Sequence, residues 1–458
     1  MPEIENTENE NEEEIVEEVK EDEIIFKDVF PEEHKYLTFL KKVFRHEFRK
    51  SGFRRISIPS LTSSKLYSDS RQEEYNEHKI LDNYSLKFDT SLSILDSYLW
   101  NEKKEEIQPV YYYYIDNLFH KEGAKLKQIY NIGWDIIWEK DPILDMECIF
   151  LLDRVFKSIW IEGKYTVRVN SMWLKKEQGK YCEALADFYS DKKHLLSEVS
   201  LKNLEENPML LLNAQTEDEE ILLGQAPIMR KFLKKHSKLH LEKFEEFMEM
   251  VGIEYEYDNT FLLDRPYYTN TVWEIVETQT WDRLASGWRY DTLSMDINEE
   301  LRKEVPATWF HTNVETLISL LKKTWISIRD KDQLNLFFVQ LWDDAKKKVF
   351  PVAAAARKAW INTMTSLWTP SMKEQMLKAQ RSWAEYVVIV GIMEARSGNW
   401  QLRNMKKWTQ NEIRQEELID FIVDQIGKEN LDFYSPVKDL TIWDPIIDEP
   451  EEKEDFRK

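Results

Sequence analysis

The run FLLDRPYYTNTVWE, Phe261 to Glu274, is dense in aromatic and β-branched residues and carries paired tyrosines at Tyr267 and Tyr268. A few residues on, LASGWRYD (Leu284 to Asp291) places Gly287, Arg289, Tyr290 and Asp291 in a turn that leads into more apolar chain. Downstream, VPATWFHTNVETLISLL (Val305 to Leu321) reads as a strand entering an apolar helix. Far upstream, Leu37, Leu40, Val43, Phe44 and Phe48 recur at helical spacing between Lys and Arg residues and predict an amphipathic helix over 34–50. That helix should end at Gly52, and GFRRISIPSL then alternates Ile56 and Ile58 before Pro59.

A chain of 458 residues, 42% hydrophobic and 13% aromatic, can bury a sizeable core and should split into two or three domains. The net charge of -22 sits largely at the ends. Residues 1–25 hold twelve acids against Lys20, residues 444–458 hold seven acids against three bases, and the body keeps only -7. Residues 1–25 read as an acidic disordered arm and 429–458 as an acidic tail, solvated segments that say little about partners. The acidic N-terminus is unlike a signal peptide and no apolar run is long enough to span a bilayer, so the expectation is a cytoplasmic protein with no membrane partner. Cys148 and Cys182 are far apart and lack Cys/His company, which points to packing thiols and no metal site.

Residues 333–428 alternate strands and helices: LNLFFVQL, then DDAKKKVFPVAAAARKA interrupted at Pro351, INTMTSL, a helix opened by a Ser371/Glu374 capping box, EYVVIVG, WQLRNM, and the closing helix EELIDFIVDQI. Such alternation implies a mostly parallel sheet with helices on both faces. Met372, Met376, Ala379 and Trp383 are expected to share one helix face. Residues 174–250 read as charged amphipathic helices.

Taken in order, these segments resemble the histidyl-tRNA synthetase family. Tyr267, Tyr268, Thr271, Val272, Glu274, Arg289, Tyr290 and Asp291 match its amino-acid-binding segments, and Gln108, Pro109, Phe119, Glu122, Gln128, Gly133, Asp141, Pro142, Asp145 and Glu147 match a strand–loop–strand motif. The resemblance spans roughly residues 28–428. It implies a class II synthetase-like antiparallel sheet core over 26–326, a helical insertion at about 174–250, and an anticodon-binding-like α/β domain over 333–428. It also implies a homodimer, with tRNA and histidine or another amino acid as partners, and ATP and Mg²⁺ if the chain is active.

Residue by residue, the resemblance places Asp89 and Ser91 where the family holds the substrate's α-ammonium, and Asp135 opposite its imidazole. Gln128, Tyr267 and Tyr268 complete the amino-acid site. Glu122, Lys127 and Glu315 fall at nucleotide-binding positions, and Lys373 and Lys378 are candidates for tRNA phosphate. The family's three ATP-facing arginines are replaced by His120, Leu263 and Thr316. Those arginines grip phosphate as bidentate forks, and histidine offers one donor per nitrogen while leucine and threonine offer no charge.

Seventeen tryptophans against eleven glycines is an unusual balance. Trp160, Trp173, Trp288, Trp309, Trp342, Trp360 and Trp383 stand where the family pattern has glycine, several at turns or helix ends that call for positive φ. The pattern is that of UGA codons for glycine read as tryptophan.

The leading expectation is a degenerate paralogue that keeps the scaffold for tRNA, and for amino-acid binding, without efficient adenylation. The alternatives are a divergent histidine–tRNA ligase and a regulatory subunit like the synthetase-like activator of ATP phosphoribosyltransferase.

Overall fold

The computed structural model describes residues 28–431, apart from 64–65, 67–77, 82, 102–106, 123–124, 173–174, 262–267, 298–303, 327, 329–333, 367–370 and 428–430. The acidic arm, most of the acidic tail, Leu263, Tyr267 and Trp173 lie outside the described residues. By its internal contacts the chain divides into Met1–Ile328 and Arg329–Lys458.

The helix Pro31–Lys50 opens the first unit. Pro31 sits in its first turn, where the missing N–H costs nothing, Glu32 and Glu33 face the positive end of the helix dipole, and Arg49 and Lys50 face the negative end. Its buried stripe, Leu37, Leu40, Phe44 and Phe48, is the one the spacing predicts. The chain then supplies β1 (Arg54–Arg55), β2 (Leu61–Ser63), β3 (Lys79–Leu81), β4 (Tyr84–Leu86), β5 (Val110–Glu122), β6 (Lys125–Ile137), β7 (Tyr165–Ser171), β8 (Glu256–Tyr257), β9 (Thr269–Glu277), β10 (Arg283–Arg289) and β11 (Ala307–Asn313). Eight of them form one sheet in the order β1-β5-β6-β11-β10-β9-β7-β8, antiparallel except where β1 meets β5 and β7 meets β8.

Because successive strand residues point to opposite faces, the sheet has two distinct sides. On one side Trp134, Phe310, Trp273 and Ile275 pack in a core with the helices Pro31–Lys50 and Ile143–Ser158. On the other, register aligns Asp135 with Trp309, Trp309 with Trp288, and Trp288 with Val272. That side is covered by the helix Thr90–Trp100 and by residues of the helices Lys175–Ser190, Glu198–Glu206 and Glu217–Leu223. The expected charged insertion is thus helical as predicted. No helix among the described residues is long and apolar enough to cross a membrane.

The second unit adds β12 (Leu336–Gln340), β13 (Thr363–Thr365), β14 (Tyr386–Val390), β15 (Asn399–Asn404) and β16 (Thr409–Arg414) in the order β13-β12-β14-β15-β16, with apolar clusters on both faces. Four details correct the sequence reading. The sheet is mixed: β13, β12 and β14 are parallel, but β14, β15 and β16 run antiparallel, because a four-residue connection between β15 and β16 is too short for a crossover. The helix Trp342–Lys358 runs through Pro351, which lies on its exposed face, where water can reach the carbonyl left unbonded. Ser371 makes no side-chain cap; at Gly391 the N–H donates to Glu394 Oε2 at 3.0 Å, the half of a capping box that a residue without a side chain allows. On the helix Met372–Arg381 the buried residues are Gln375 and Ala379, while Met372 and Trp383 are exposed. Gln375 is drawn inward because its amide pairs with both backbone groups of Gln340, at 2.8 and 2.9 Å.

Helix ends show one motif with two kinds of closing residue. At Gly52 and Gly252 the closing N–H reaches the carbonyl three residues back, and the next N–H reaches the carbonyl five before it, at 3.0–3.3 Å. Trp160, Trp325, Trp360 and Trp383 close their helices with the same pair of bonds, at 3.0–3.2 Å, and with φ of 63°, 59°, 64° and 52°. Left-handed backbone costs an L-residue with a Cβ about 1–2 kcal/mol, which glycine does not incur.

Candidate functional site

The inward side of the central strands is a polar floor framed by aromatic walls. β6 contributes Asn131, Gly133 and Asp135; β11 contributes Trp309, His311 and Asn313; β10 contributes Ser286 and Trp288. Asp135 is fully buried and accepts the hydroxyl of Tyr290, with the Ser91 hydroxyl close by. Burial pushes its carboxyl well up, the Tyr290 hydrogen bond and the nearby Ser91 hydroxyl oppose that, and the nearby Asp89 charge reinforces it. A carboxylate held this way in a dry site gains most from an incoming cation or N–H donor.

Asp89 is fixed by its own helix: it is the N-cap of Thr90–Trp100 and accepts the Leu92 N–H at 3.1 Å. Ser91 follows in the first turn, so the cap is also what presents Asp89 and Ser91 to Asp135. Tyr268 is buried with its ring 4.4 Å from that of Trp288. Asp89, Ser91, Asp135 and Tyr268 therefore come together. Gln128 lies further along β6, half-buried and paired in register with Phe119.

The rest of the Asp135 row is aromatic. Trp288 and Trp309 lie 4.1 Å apart between centroids, both buried, and the Trp309 indole N–H donates to the Tyr114 hydroxyl at 2.8 Å. Their rings fill the row beside Asp135. His120 and Lys127 are exposed and paired in register near the end of the β5–β6 hairpin, and the backbone of Glu122 pairs with Lys125 beside them. Glu315 accepts the Tyr130 N–H at 2.8 Å, and Thr316 gives its N–H to the Asn313 cap at 3.2 Å. Lys373 and Lys378 stand exposed on a helix of the second unit.

The arginines of β7 and β10 are all held by acids. Arg289 is fully buried, bonded to Asp145 at 2.9 Å and the Glu139 carbonyl at 2.6 Å, and 3.3 Å from Asp291. Burial disfavours both charges, but Arg289 and His240 outweigh it and hold the Asp145 carboxyl below its ordinary range. Arg168 pairs with Asp258 and with Glu274 at 2.5 Å, and Arg283 reaches the same Glu274 at 2.8 Å.

Sequence reading missed three floor residues. Both amide atoms of Asn131, Ser286 Oγ, His311 Nδ1 and the second Asp135 oxygen are buried with no hydrogen-bond partner among the described residues. Burial lowers the His311 imidazole to about 3, with His120 and Arg283 adding to the effect. Buried polar atoms are normally satisfied, so a row of orphans on one face marks a surface made to bind a polar ligand. Its sequence signal was a non-apolar residue at alternate positions of central strands, Asn131, Gly133 and Asp135 on β6 and His311 and Asn313 on β11.

Comparison with known proteins agrees with this geometry. The model of the histidyl-tRNA synthetase family matches residues 25–317, and an anticodon binding domain model matches residues 339–425. The chain belongs to the histidyl-tRNA synthetase family. It is 27% identical over 341 residues to the histidine–tRNA ligase of Halothermothrix orenii, covering 73% of this chain and 80% of that protein. The corresponding ligase of Thermotoga petrophila is 26% identical over 416 residues, 88% of this chain and 98% of its own length. Among solved structures, apo S. aureus histidyl-tRNA synthetase matches the fold with a TM-score of 0.69 at 20% identity, covering 86% of this chain and 97% of that one. An ATP phosphoribosyltransferase regulatory subunit/histidyl-tRNA synthetase from Bacillus halodurans C gives 0.56 at 18%, covering 80% and 96%. The eight-stranded antiparallel-rich sheet is thus the class II core of this family, and β12–β16 with their helices form its anticodon-binding domain.

Proposed function

We propose that this member of the family keeps the synthetase scaffold for recognition of an amino acid, histidine first among candidates, and of tRNA, and has given up efficient adenylate formation. The observation that carries the reading is the distribution of positive charge. The family's nucleotide-facing arginine positions hold His120, Leu263 and Thr316, and Arg168, Arg283 and Arg289 are each engaged with carboxylates. Adenylation moves charge onto phosphate oxygens, and fixed cationic donors stabilise that charge only when they are free to aim at it. The residues present do not fit a triphosphate with Mg²⁺, so no catalytic step is derived through one.

The amino-acid end supports binding. Asp135, Asp89 and Ser91 supply anions and a hydroxyl for an imidazole and an α-ammonium, and Tyr268 supplies an aromatic wall. The anticodon-binding domain supports a tRNA partner, with Lys373 and Lys378 on its surface as phosphate contacts. A homodimer in the cytoplasm completes the reading. Histidine-dependent ATP–pyrophosphate exchange tests it: each lost donor lowers the rate by about two to three orders of magnitude, so exchange should be at background. Robust exchange would establish the divergent ligase instead. tRNA binding that weakens steeply with salt separates a tRNA reader from a metabolic regulatory subunit, which would show none.

A further inference from the structure

Nine non-glycine residues among those described have positive φ, and eight are tryptophan: Trp138, Trp160, Trp281, Trp325, Trp342, Trp360, Trp383 and Trp408. The ninth is Asn270, a residue type that tolerates this region. Only five glycines share it. Tryptophan accounts for seventeen of 458 residues, so a class picked out by backbone geometry alone should hardly contain it.

Backbone geometry sets these sites apart, although some indoles make surface contacts, Trp160 stacking on Phe39 and Trp281 lying under Arg168. Trp160, Trp325, Trp360 and Trp383 occupy the helix-closing position that Gly52 and Gly252 occupy elsewhere, each followed by an apolar residue (Ile161, Ile326, Ile361 and Ala384) as Phe53 and Ile253 follow the glycines. Trp281 and Trp408 sit in the β9–β10 and β15–β16 turns. Seven of the eight side chains are exposed, from Trp360 at 40% to Trp325 at 93%, while Trp138 is half-buried against the core. A second class is buried in the core, although the Trp273 and Trp400 indole N–H groups find no partner among the described residues. Trp134, Trp273 and Trp400 are fully buried in regular strands. The Trp134 indole N–H donates to Cys148 Sγ at 3.1 Å, and the Trp273 ring occupies space that a Cβ on Gly287 would enter, at 2.3 Å.

We infer that the eight left-handed tryptophans, together with Trp288 and Trp309 on the pocket floor, are glycines in the protein its own cell makes, written in the gene as UGA and read there as glycine. UGA is the codon whose reading as tryptophan depends on the code, whereas UGG specifies tryptophan; one translational rule explains the eight that follow glycine-type backbone and extends to Trp288 and Trp309, which lie in regular strands but stand where the family pattern has glycine. Glycine at 288 and 309 removes both indoles from the row beside Asp135 and leaves Ser286, His311 and Asn131 lining an open floor on which a flat ring could lie. It leaves His120, Leu263 and Thr316 untouched, so the proposed loss of adenylation stands or falls separately.

Sequencing the gene tests the inference. UGA is expected at the eight left-handed positions and at 288 and 309, with UGG at 134, 273 and 400. UGG at any of the eight overturns the assignment, and UGG at 288 or 309 overturns the opening of the floor. A second measurement rests on the backbone alone: the full chain carrying W160G, W325G, W360G and W383G should melt at a higher temperature than the chain with tryptophan. An equal or lower melting temperature would show that the helix ends accept the indoles and would remove the structural basis of the inference.

Discussion

The two ends of one pocket floor treat charge in opposite ways. At the Asp135 end a carboxylate is buried among hydroxyls, its position set by strand register and its neighbours by the Asp89 helix cap. At the other end, beyond His311, the cations are either exposed on a hairpin, as with His120 and Lys127, or already neutralised, as with Arg283. Both ends are equally well built into the sheet, so the difference lies in what each can offer a ligand and not in how well each folds. A scaffold can keep its substrate-shaped anionic site while the cationic one is lost, because the anionic site is braced by elements the core needs in any case.

The largest expected effect tests that bracing. Arg289→Met leaves Asp145 buried without its ion pair and should destabilise the chain by about 3–5 kcal/mol in urea unfolding, since breaking a buried pair strands one charge. A loss below about 1 kcal/mol would place the pair among exposed bridges and remove the structural role assigned to this arginine. Next, Asp135→Asn should weaken histidine binding by about 30-fold or more in calorimetry, as truncation of a buried charged hydrogen bond costs about 2–5 kcal/mol. Unchanged affinity would erase the contrast between the two ends.

Acid sharpens the comparison through His311. Its imidazole pKa falls from 6.5 to about 3 on folding, so the unfolded chain binds the proton first. Its contribution to stability is present above pH 6.5 and is lost as pH falls from there toward 3; Asp145, also lowered, loses its contribution in the same direction below the ordinary carboxylate range. The raised Asp135 carboxyl works the opposite way, so the test is the difference: the His311→Asn chain should lose less stability than the parent between pH 6.5 and 3, and an identical profile would remove the role assigned to His311. The smallest effect belongs to a single helix end: Trp360→Gly should stabilise the chain by about 1–2 kcal/mol, the cost of left-handed backbone for a residue with a Cβ.

Much of this architecture could be read from the chain because periodicity and turn chemistry are local. The stripe Leu37, Leu40, Phe44, Phe48 predicted its helix, and the order of segments from Tyr267 to Asp291 pointed to the family. The parts that escaped depend on pairing at a distance. Gln375 is polar and looked outward, yet it is buried because Gln340 offers its backbone from a strand thirty-five residues away. Asn131, Ser286 and His311 became a single surface only when β6, β11 and β10 were laid side by side. The tryptophans form an intermediate case. Resemblance flagged Trp160, Trp342, Trp360 and Trp383, while Trp138, Trp281, Trp325 and Trp408 were found from backbone angles alone.

The most direct test is histidine-dependent ATP–pyrophosphate exchange by the purified full chain, run in parallel on the W288G/W309G form so that filled space cannot account for the result. The account predicts background exchange from both, with histidine still bound. Robust exchange from either form would contradict it, since it would show that a floor whose described guanidinium groups are all engaged can still hold a triphosphate for attack.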